Sequence, residues 1–277
     1  MNKNFLKSLF LLALLQLTAL FAQDRQTSEY HNLKLAFEFG TNITNCEFEK
    51  TEQVRESHYS YYYYKDEYYY DYGHFSGSTN LQTFNFGVKP EIFVYNNRIG
   101  ISSGLRFTYA KSELASSNDL LWKLQEESRN TYYVQIKDIR QNNYLLSIPL
   151  EVRYFMNDRE LPFQTYFKVG ASMNYRIHSN NPEVIFTNNM MKKYEDLVQS
   201  QIPKNNAFSS FLFGAVGFKI GKFREGSRVP WGNIEFQFPY VLMTENSFAF
   251  AGMYGLGAGF QMSFQIPIGK NAPIGSK

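Results

Sequence analysis

The sequence predicts an all-β fold: an eight-stranded antiparallel up-and-down transmembrane β-barrel with short turns at one end and long loops at the other. Three observations predict it. Apolar residues recur at every second position in eight segments, although the pattern is blurred in the sixth, at 208–220. The connections alternate between short and long, and aromatic residues make up 18% of a chain whose mean hydropathy is only -0.39. A barrel wall explains the high aromatic content together with the low mean hydropathy, because apolar residues facing lipid alternate with polar residues facing inward.

The eight segments have the period of two that places alternate side chains on opposite faces of a strand. Most of them reach the roughly 9–11 residues that a tilted spanning strand needs. In the seventh, every second residue from Ile234 to Tyr240 is apolar, which predicts that both of these residues face lipid. The segments span residues 33–39, 84–94, 99–109, 146–154, 163–175, 208–220, 234–240 and 254–266.

The connections between these segments differ in length. Short ones lie near 96–97, 157–160 and 222–230, and long ones near 42–80, 110–142 and 177–206, with a smaller one at 242–247. This alternation is typical of outer-membrane barrels, whose turns are periplasmic and whose loops are extracellular. A two-residue turn at 96–97 pairs Ile92 with Ile101, and a four-residue turn at 157–160 pairs Val152 with Thr165.

The first 22 residues are typical of a signal peptide. Lys3 and Lys7 form a positive region, residues 9–20 are mostly apolar, and cleavage is expected after Ala22. Residues 23–277 then form the barrel domain. Because no later stretch resembles a membrane-spanning helix, the sequence predicts export to the outer membrane of a Gram-negative cell, with outer-membrane lipid around the barrel.

The polar face of the segments contains charged residues of both signs. An eight-stranded lumen is only wide enough for side chains to fill it, so charges held there need partners. We expect a salt-bridged network that plugs the lumen, and the alternative is a narrow channel for ions or small solutes lined by the same groups. The predicted network consists of Lys34, Glu38, Lys89, Glu91, Arg106, Glu151, Arg153, Lys168, Lys219 and Glu235.

The first long loop, at about 42–80, is rich in tyrosine. Tyrosine offers a large, rigid contact area, so one hypothesis is a recognition surface for a protein or glycan partner. Two alternatives remain: the strands continue above the membrane with tyrosines at the lipid–water boundary, or the segment is disordered. The residues concerned are Tyr59, Tyr61, Tyr62, Tyr63, Tyr64, Tyr68, Tyr69, Tyr70 and Tyr72.

Other classes of function are disfavoured. A net charge of +3 does not indicate a nucleic-acid partner, and the few histidines and the absence of a G-x-S-x-G motif argue against an enzyme. No cofactor is expected. His58, His74, Asp66 and Asp71 lack tight ligand spacing, so no metal site is predicted. Cys46 is the sole cysteine, which excludes an intrachain disulfide, and is interpreted as a free thiol in the loop.

A soluble, lipocalin-like barrel is the structural rival. Its apolar face would point inward, and about 40 bulky apolar groups would have to fit inside a lumen of roughly eight strands, which is too narrow for them. The membrane barrel is therefore preferred, as a monomer.

Three stretches carry a resemblance to a known family. The run from Tyr144 to Tyr154 (YLLSIPLEVRY), followed by Tyr166 to Gly170 (YFKVG) and by a last strand with alternating glycines, resembles the PorT-like outer-membrane β-barrel family, which are OmpA/OmpX-like eight-stranded barrels. The resemblance implies the barrel and no catalytic site. Some relatives serve protein secretion or gliding machinery and most have no assigned role, so the resemblance says little about activity, and a role as an accessory of secretion machinery is one hypothesis.

Overall fold

The chain forms an antiparallel sheet that closes on itself. The computed structural model describes residues 33–48, 53–56, 59–64, 67–72, 78–94, 98–125, 131–156, 162–221 and 230–268. Ring closure follows from the pairing of the first strand with both the second and the last strand of the ring. The ring strands are β1 (Leu33–Glu47), β5 (Ser78–Val94), β6 (Ile99–Ser103), β7 (Leu105–Gln125), β8 (Thr131–Phe155), β9 (Phe163–Ser179), β11 (Phe208–Ile220), β12 (Trp231–Leu242) and β13 (Leu256–Pro267).

The ring has eight strands because β6 and β7 act as one. Both pair with β5 and β8, and the register is unchanged across Gly104, which separates them. The order around the ring is β1–β5–β6/β7–β8–β9–β11–β12–β13, returning to β1. The predicted fold class, an eight-stranded antiparallel up-and-down barrel, is confirmed.

The two predicted registers have different outcomes. Ile92 pairs with Ile101, as the two-residue turn predicts. The pairing of Val152 with Thr165 is wrong, since Val152 pairs with Val169. The connection is longer than the predicted four residues, because β8 ends at Phe155 and β9 begins at Phe163. The shift is an even number of residues, so every side chain keeps its face.

The outer face of the ring is apolar. Phenylalanine, leucine, isoleucine, valine and methionine side chains stand exposed on every ring strand, such as Phe236, which is 58% exposed. Tyr240 is an exception to the prediction: it points inward and is buried. The cause is a β-bulge between Gln237 and Tyr240, where an extra residue reverses the alternation.

Several strands continue past this apolar belt at the end with the long loops. β7 has 21 residues and β8 has 25, about twice the length needed to span a bilayer. Smaller elements join them there: β2 (Val54–Glu56), β3 (Tyr59–Tyr64), β4 (Glu67–Tyr72), β10 (Glu183–Phe186), a 3-10 helix (Asn189–Tyr194) and helix α1 (Glu195–Gln201). Among the described residues, no helix is both long and apolar enough to cross a membrane.

The predicted signal peptide lies outside the described residues, and its presence stays a prediction.

Candidate functional site

The lumen is filled in layers, which can be followed along the inner face of β5. From the short-turn end upward, its inward residues are aromatic, then charged, then neutral polar, then aliphatic. The order is Phe93, then Glu91 and Lys89, then Asn85 and Thr83, then Leu81, with the polar Thr79 above it, all of them buried. Both ends of the lumen are thus apolar, and the charges lie between them.

An aromatic cluster closes the short-turn end; we call it the base cluster. It consists of Phe93, Phe155, Tyr166 and Trp231. Lys34 and Lys219 lie over the Trp231 ring, with their ammonium nitrogens 3.2 and 3.5 Å from its centroid. Desolvated cation–π contacts of this kind stabilise by about 2 kcal/mol each.

Above the base cluster, Glu38 and Glu151 bind the first group of cations. The Lys89 ammonium lies 2.7 Å from Glu38 and also contacts Glu151. The Arg106 guanidinium bridges the same two carboxylates, at 2.5 Å from Glu38 and 2.9 Å from Glu151. Lys168 approaches Glu151 at 3.2 Å, so this carboxylate, only 1% exposed, contacts three cations.

The second group is centred on Glu235. Arg153 joins it to Glu91, with guanidinium nitrogens 2.7 Å from Glu235 and 3.1 Å from Glu91. Lys168 contacts Glu235 as well, which connects the two groups. The Tyr166 hydroxyl donates to Glu235 at 2.7 Å and so ties the network to the base cluster.

The structure places all ten predicted lumen residues inside the ring, each 5% exposed or less. Eight of them, four glutamates and four cations, form one connected and electrically neutral set of ion pairs. Lys34 and Lys219 lie at the base cluster, over the Trp231 ring. Burial of ions is costly unless each charge is matched, and this set meets that condition.

A second apolar cluster, the upper cluster, fills the lumen above the charges. Its members are Cys46, Leu81, Ala110, Leu145, Phe211, Phe213, Tyr240, Leu242, Phe248 and Ala251. Sequence analysis missed it because inward aromatic residues look like lipid-facing ones. The blurred alternation at 208–220 was the available signal: Phe211 and Phe213 point inward there.

The interpretation of Cys46 as a loop thiol is wrong. It belongs to β1, beyond Ile43, the last outward apolar residue of that strand, and it is buried in the upper cluster. Burial raises the pKa of its thiol to about 12.

The elements at the long-loop end form a third apolar cluster above the ring, which we call the cap core. Its residues come from β2, β7, β8, β10, α1 and the segment after β12: Val54, Leu114, Leu120, Trp122, Leu124, Val134, Ile136, Ile139, Val184, Val198, Ile202, Ala249 and Phe250. The Trp122 indole N–H donates to Gln201 at 2.8 Å and fixes α1 against β7.

Residues 248–251 join the cap core to the lumen. Phe248 and Ala251 belong to the upper cluster, and Ala249 and Phe250 belong to the cap core. Thr79 Oγ1 donates to the Phe250 carbonyl at 2.9 Å. Phe250 has a φ of 61, a conformation that costs a bulky residue of order 1–3 kcal/mol and persists only when neighbours enforce it. This segment therefore packs between the upper cluster and the cap core.

A charged group lies on the outer face of the β7–β8 extension. Arg140 Nη2 is 2.5 Å from Asp138 and 3.1 Å from Glu113, while Lys111 is 2.9 Å from Glu113. Burial and the neighbouring Glu113 raise the pKa of Asp138 to about 6. Burial acts to raise the pKa of Glu113 as well, but its bonds to Lys111 and Asp138 outweigh this and lower it.

The tyrosine-rich segment forms a hairpin of β3 and β4, a two-stranded sheet separate from the ring. Its strands are not simple continuations of β1 and β5, because β2 intervenes and pairs with β7. His58, His74 and Asp66 lie outside the described residues. Within the described part of the chain, no three His, Cys, Asp or Glu residues are grouped to hold a metal ion.

Neither a protein-family model nor a curated protein matches this chain. Solved structures that resemble it include Neisserial surface protein A, with a TM-score of 0.34 and 8% identity over 84% of this chain and 97% of that one. A Pseudomonas aeruginosa FadL homologue has a TM-score of 0.22 and 7% identity over 86% of this chain and 89% of that one. Outer-membrane expressed OmpT of Vibrio cholerae has a TM-score of 0.14 and 8% identity, over 86% of this chain and 99% of that one. The resemblance to the PorT-like family stays a prediction.

Proposed function

We propose that this chain is an integral outer-membrane β-barrel protein with a plugged lumen, which acts as a structural or interaction protein through its extracellular loops. The observation that carries the proposal is the distribution of side chains across the closed ring. Apolar side chains stand exposed on its outer face, while every charge of the predicted network is buried inside. Water would disfavour such an outer face on a soluble protein, and hydrocarbon favours it.

The filled lumen supports an interaction role over the alternative of a narrow channel. An ion on its way through would have to pass the base cluster, the neutral ion-pair set and the upper cluster. Each of these fills the cross-section of an eight-stranded ring with side chains. A channel needs either a wider ring or charges held free of partners, and this ring provides neither along its axis.

The cap supports the interaction role from the opposite side. It has an apolar core of its own, which keeps the extracellular elements folded as a platform, and it still exposes Met190 at 80%. The long loops face the cell exterior in this proposal. The resemblance to PorT-like barrels adds the hypothesis that the platform serves as an accessory of secretion machinery.

Two measurements test the proposal. Membranes of cells that express the full chain are separated by density and washed with alkaline carbonate, and the protein should stay in the outer-membrane fraction with heat-modifiable gel mobility. The same purified protein in planar bilayers should give no conductance steps above the lipid baseline. Release into the aqueous fraction would contradict the membrane location, and stable conductance steps would favour the channel.

A further inference from the structure

The segment that joins β12 to β13, residues 243–255, has a strained backbone. Among the described residues, the non-glycine positions with a left-handed φ all lie here: Asn246 at 53°, Phe250 at 61° and Tyr254 at 61°. Asparagine tolerates this conformation, but for bulky residues it is an outlier, because the Cβ atom approaches the following carbonyl oxygen. Such strain persists only where neighbouring groups enforce it, and it concentrates at switch segments and binding sites.

Hydrogen bonds from other parts of the ring hold this segment in place. The Gly252 N–H donates to the Glu47 carbonyl of β1 at 2.8 Å. Three further bonds end on carbonyls of the segment: Thr79 donates to Phe250 at 2.9 Å, the Asn206 N–H donates to Asn246 at 2.5 Å, and Arg176 donates to Ser247. The strained conformation is therefore enforced from outside the segment.

The middle of the segment is buried and one of its ends is exposed. The Phe248 ring lies 6.2 Å from the Phe211 ring in the upper cluster, and the Phe250 ring lies 6.0 Å from the Trp122 ring in the cap core. Tyr254, in contrast, is 67% exposed. Rotation at the strained residues would carry the buried middle out without moving a ring strand.

The energetics favour local opening over unfolding of the ring. Each ring strand has ladder bonds to two neighbours, so its loss would break the closed sheet. Opening of residues 246–254 breaks only a few bonds and releases the backbone strain, which offsets part of the free energy of closing. Segments with few such bonds open at free energies below that of global unfolding.

We propose that residues 246–254 form a latch, which opens as one unit while the ring stays folded. In the closed state Phe248 occupies the upper cluster, and in the open state the apolar side chains of that cluster become accessible from the long-loop end. Because the latch contacts both clusters, rearrangement of the cap core shifts the opening equilibrium. This goes beyond the proposed function and does not depend on it, since it concerns a conformational change of the chain itself.

Cys46 is a natural reporter of the open state. It is the sole cysteine of the chain, it is 1% exposed, and it shares the upper cluster with Phe248 and Ala251 of the latch. Its sulfur also lies against Gly255, directly after the latch. The full chain in lipid vesicles is exposed to N-ethylmaleimide, and mass spectrometry follows the rate at which Cys46 is modified. Heat-modifiable mobility shows that the ring is folded during labelling.

Tyr254 provides a matched pair of variants that isolates the backbone strain. Tyr254→Gly and Tyr254→Ala both remove the aromatic ring, but only glycine adopts a φ of 61° without strain. We expect Tyr254→Gly to be labelled about threefold or more slowly than Tyr254→Ala, because the closed latch is then more stable. Equal rates, or faster labelling of the glycine variant, would overturn the proposal.

A second pair tests one of the bonds that hold the latch. Thr79→Val removes the donor to the Phe250 carbonyl and should be labelled about threefold or more faster than the wild type. Thr108→Val, whose hydroxyl bonds to Ser147 at 3.2 Å, removes a buried bond that does not involve the latch and should stay within about twofold. Similar rates for the two variants would contradict the latch.

Gly217→Ala tests whether the whole ring has to unfold before Cys46 reacts. A methyl group at this position overlaps the Tyr166 ring of the base cluster and destabilises the ring far from the latch. We expect its labelling rate to stay within about twofold of the wild type. Acceleration as large as its effect on the global unfolding equilibrium would overturn the proposal, as would complete protection of Cys46 in the folded wild type.

Discussion

At the scale of single residues, the lumen depends on matched charge. Glu151 contacts Lys89, Arg106 and Lys168, more cations than any other carboxylate of the described network. Its removal leaves buried positive charge without compensation. Breaking a buried pair in this way typically costs about 3–5 kcal/mol.

We therefore expect Glu151→Gln to lower the free energy of unfolding by about 3 kcal/mol or more. Urea titration of the protein refolded into lipid vesicles measures it, with tryptophan fluorescence as the signal. Glu183→Gln, an exposed carboxylate on β10, is the control and should change stability by less than about 0.5 kcal/mol. Equal stability of wild type and Glu151→Gln would show that the network does not hold the barrel together.

Close packing inside the ring sets a second constraint, at Gly217. The Tyr166 ring lies directly over this glycine, so a methyl group there would overlap the ring. Tyr166 would have to move away from Glu235, to which its hydroxyl donates at 2.7 Å. Gly232, on the next strand, has open space where a methyl group would lie.

Gly217→Ala should thus destabilise the barrel by about 1–3 kcal/mol, the usual effect of overpacking, whereas Gly232→Ala should be nearly neutral. The same urea titration compares the two. Similar effects of both substitutions would mean that strand propensity, rather than the contact with Tyr166, decides the outcome.

At the scale of elements, the sequence predicts what lies within the membrane better than what lies above it. Alternation within the spanning segments locates all eight ring strands, because one face meets lipid and the other a polar lumen. Where β7 and β8 extend upward, the sequence predicts loops instead of strands. The alternation is lost there because the extensions pack into the cap core and a register shift between Ala115 and Leu120 interrupts their period. The prediction that Tyr240 faces lipid is wrong because a bulge precedes it. The prediction that Cys46 lies in a loop is wrong because β1 extends to Glu47.

The charged group on the β7–β8 extension makes that element sensitive to pH. Burial and the neighbouring Glu113 raise the pKa of Asp138 from its ordinary value of 3.8 to about 6, so the folded state holds this proton more tightly than the unfolded state. Its contribution to stability is therefore complete at low pH and is lost as the pH rises through about 6. Glu113, whose pKa is lowered, acts in the opposite sense but only below about 4.5.

Between pH 7 and pH 5 we expect the amides of the β7–β8 extension to become more protected, by about 1 kcal/mol. Hydrogen exchange at both pH values, corrected for intrinsic rates, measures this protection. Asp138→Asn should abolish the change, whereas Glu245→Gln, at an exposed position outside the extension, should retain it. Persistence of the full change in Asp138→Asn would assign it to another group.

At the scale of the whole molecule, the apolar outer face of the ring and the filling of its lumen are consequences of the same environment. The apolar outer face is favourable only if lipid surrounds the ring. Lipid around the ring would exclude the charged side chains of the spanning strands from that face, so they lie in the lumen. The base cluster, the ion-pair set and the upper cluster then fill a cylinder too narrow for water and charges together. In the proposed function, interactions then take place at the long-loop end of the ring, where the cap core lies.

The most direct test of this account is the accessibility of neighbouring residues on one strand. In a Cys46→Ala background, spin labels are placed singly at Met262, Ser263 and Phe264 of β13 in lipid vesicles. Met262 and Phe264 point outward and Ser263 points inward. Labels at the two outward positions should be relaxed strongly by oxygen, which concentrates in lipid, and weakly by a water-soluble nickel chelate, whereas the label at 263 should respond little to either. Strong relaxation by the nickel chelate at 262 and 264, or no alternation along the strand, would contradict the account.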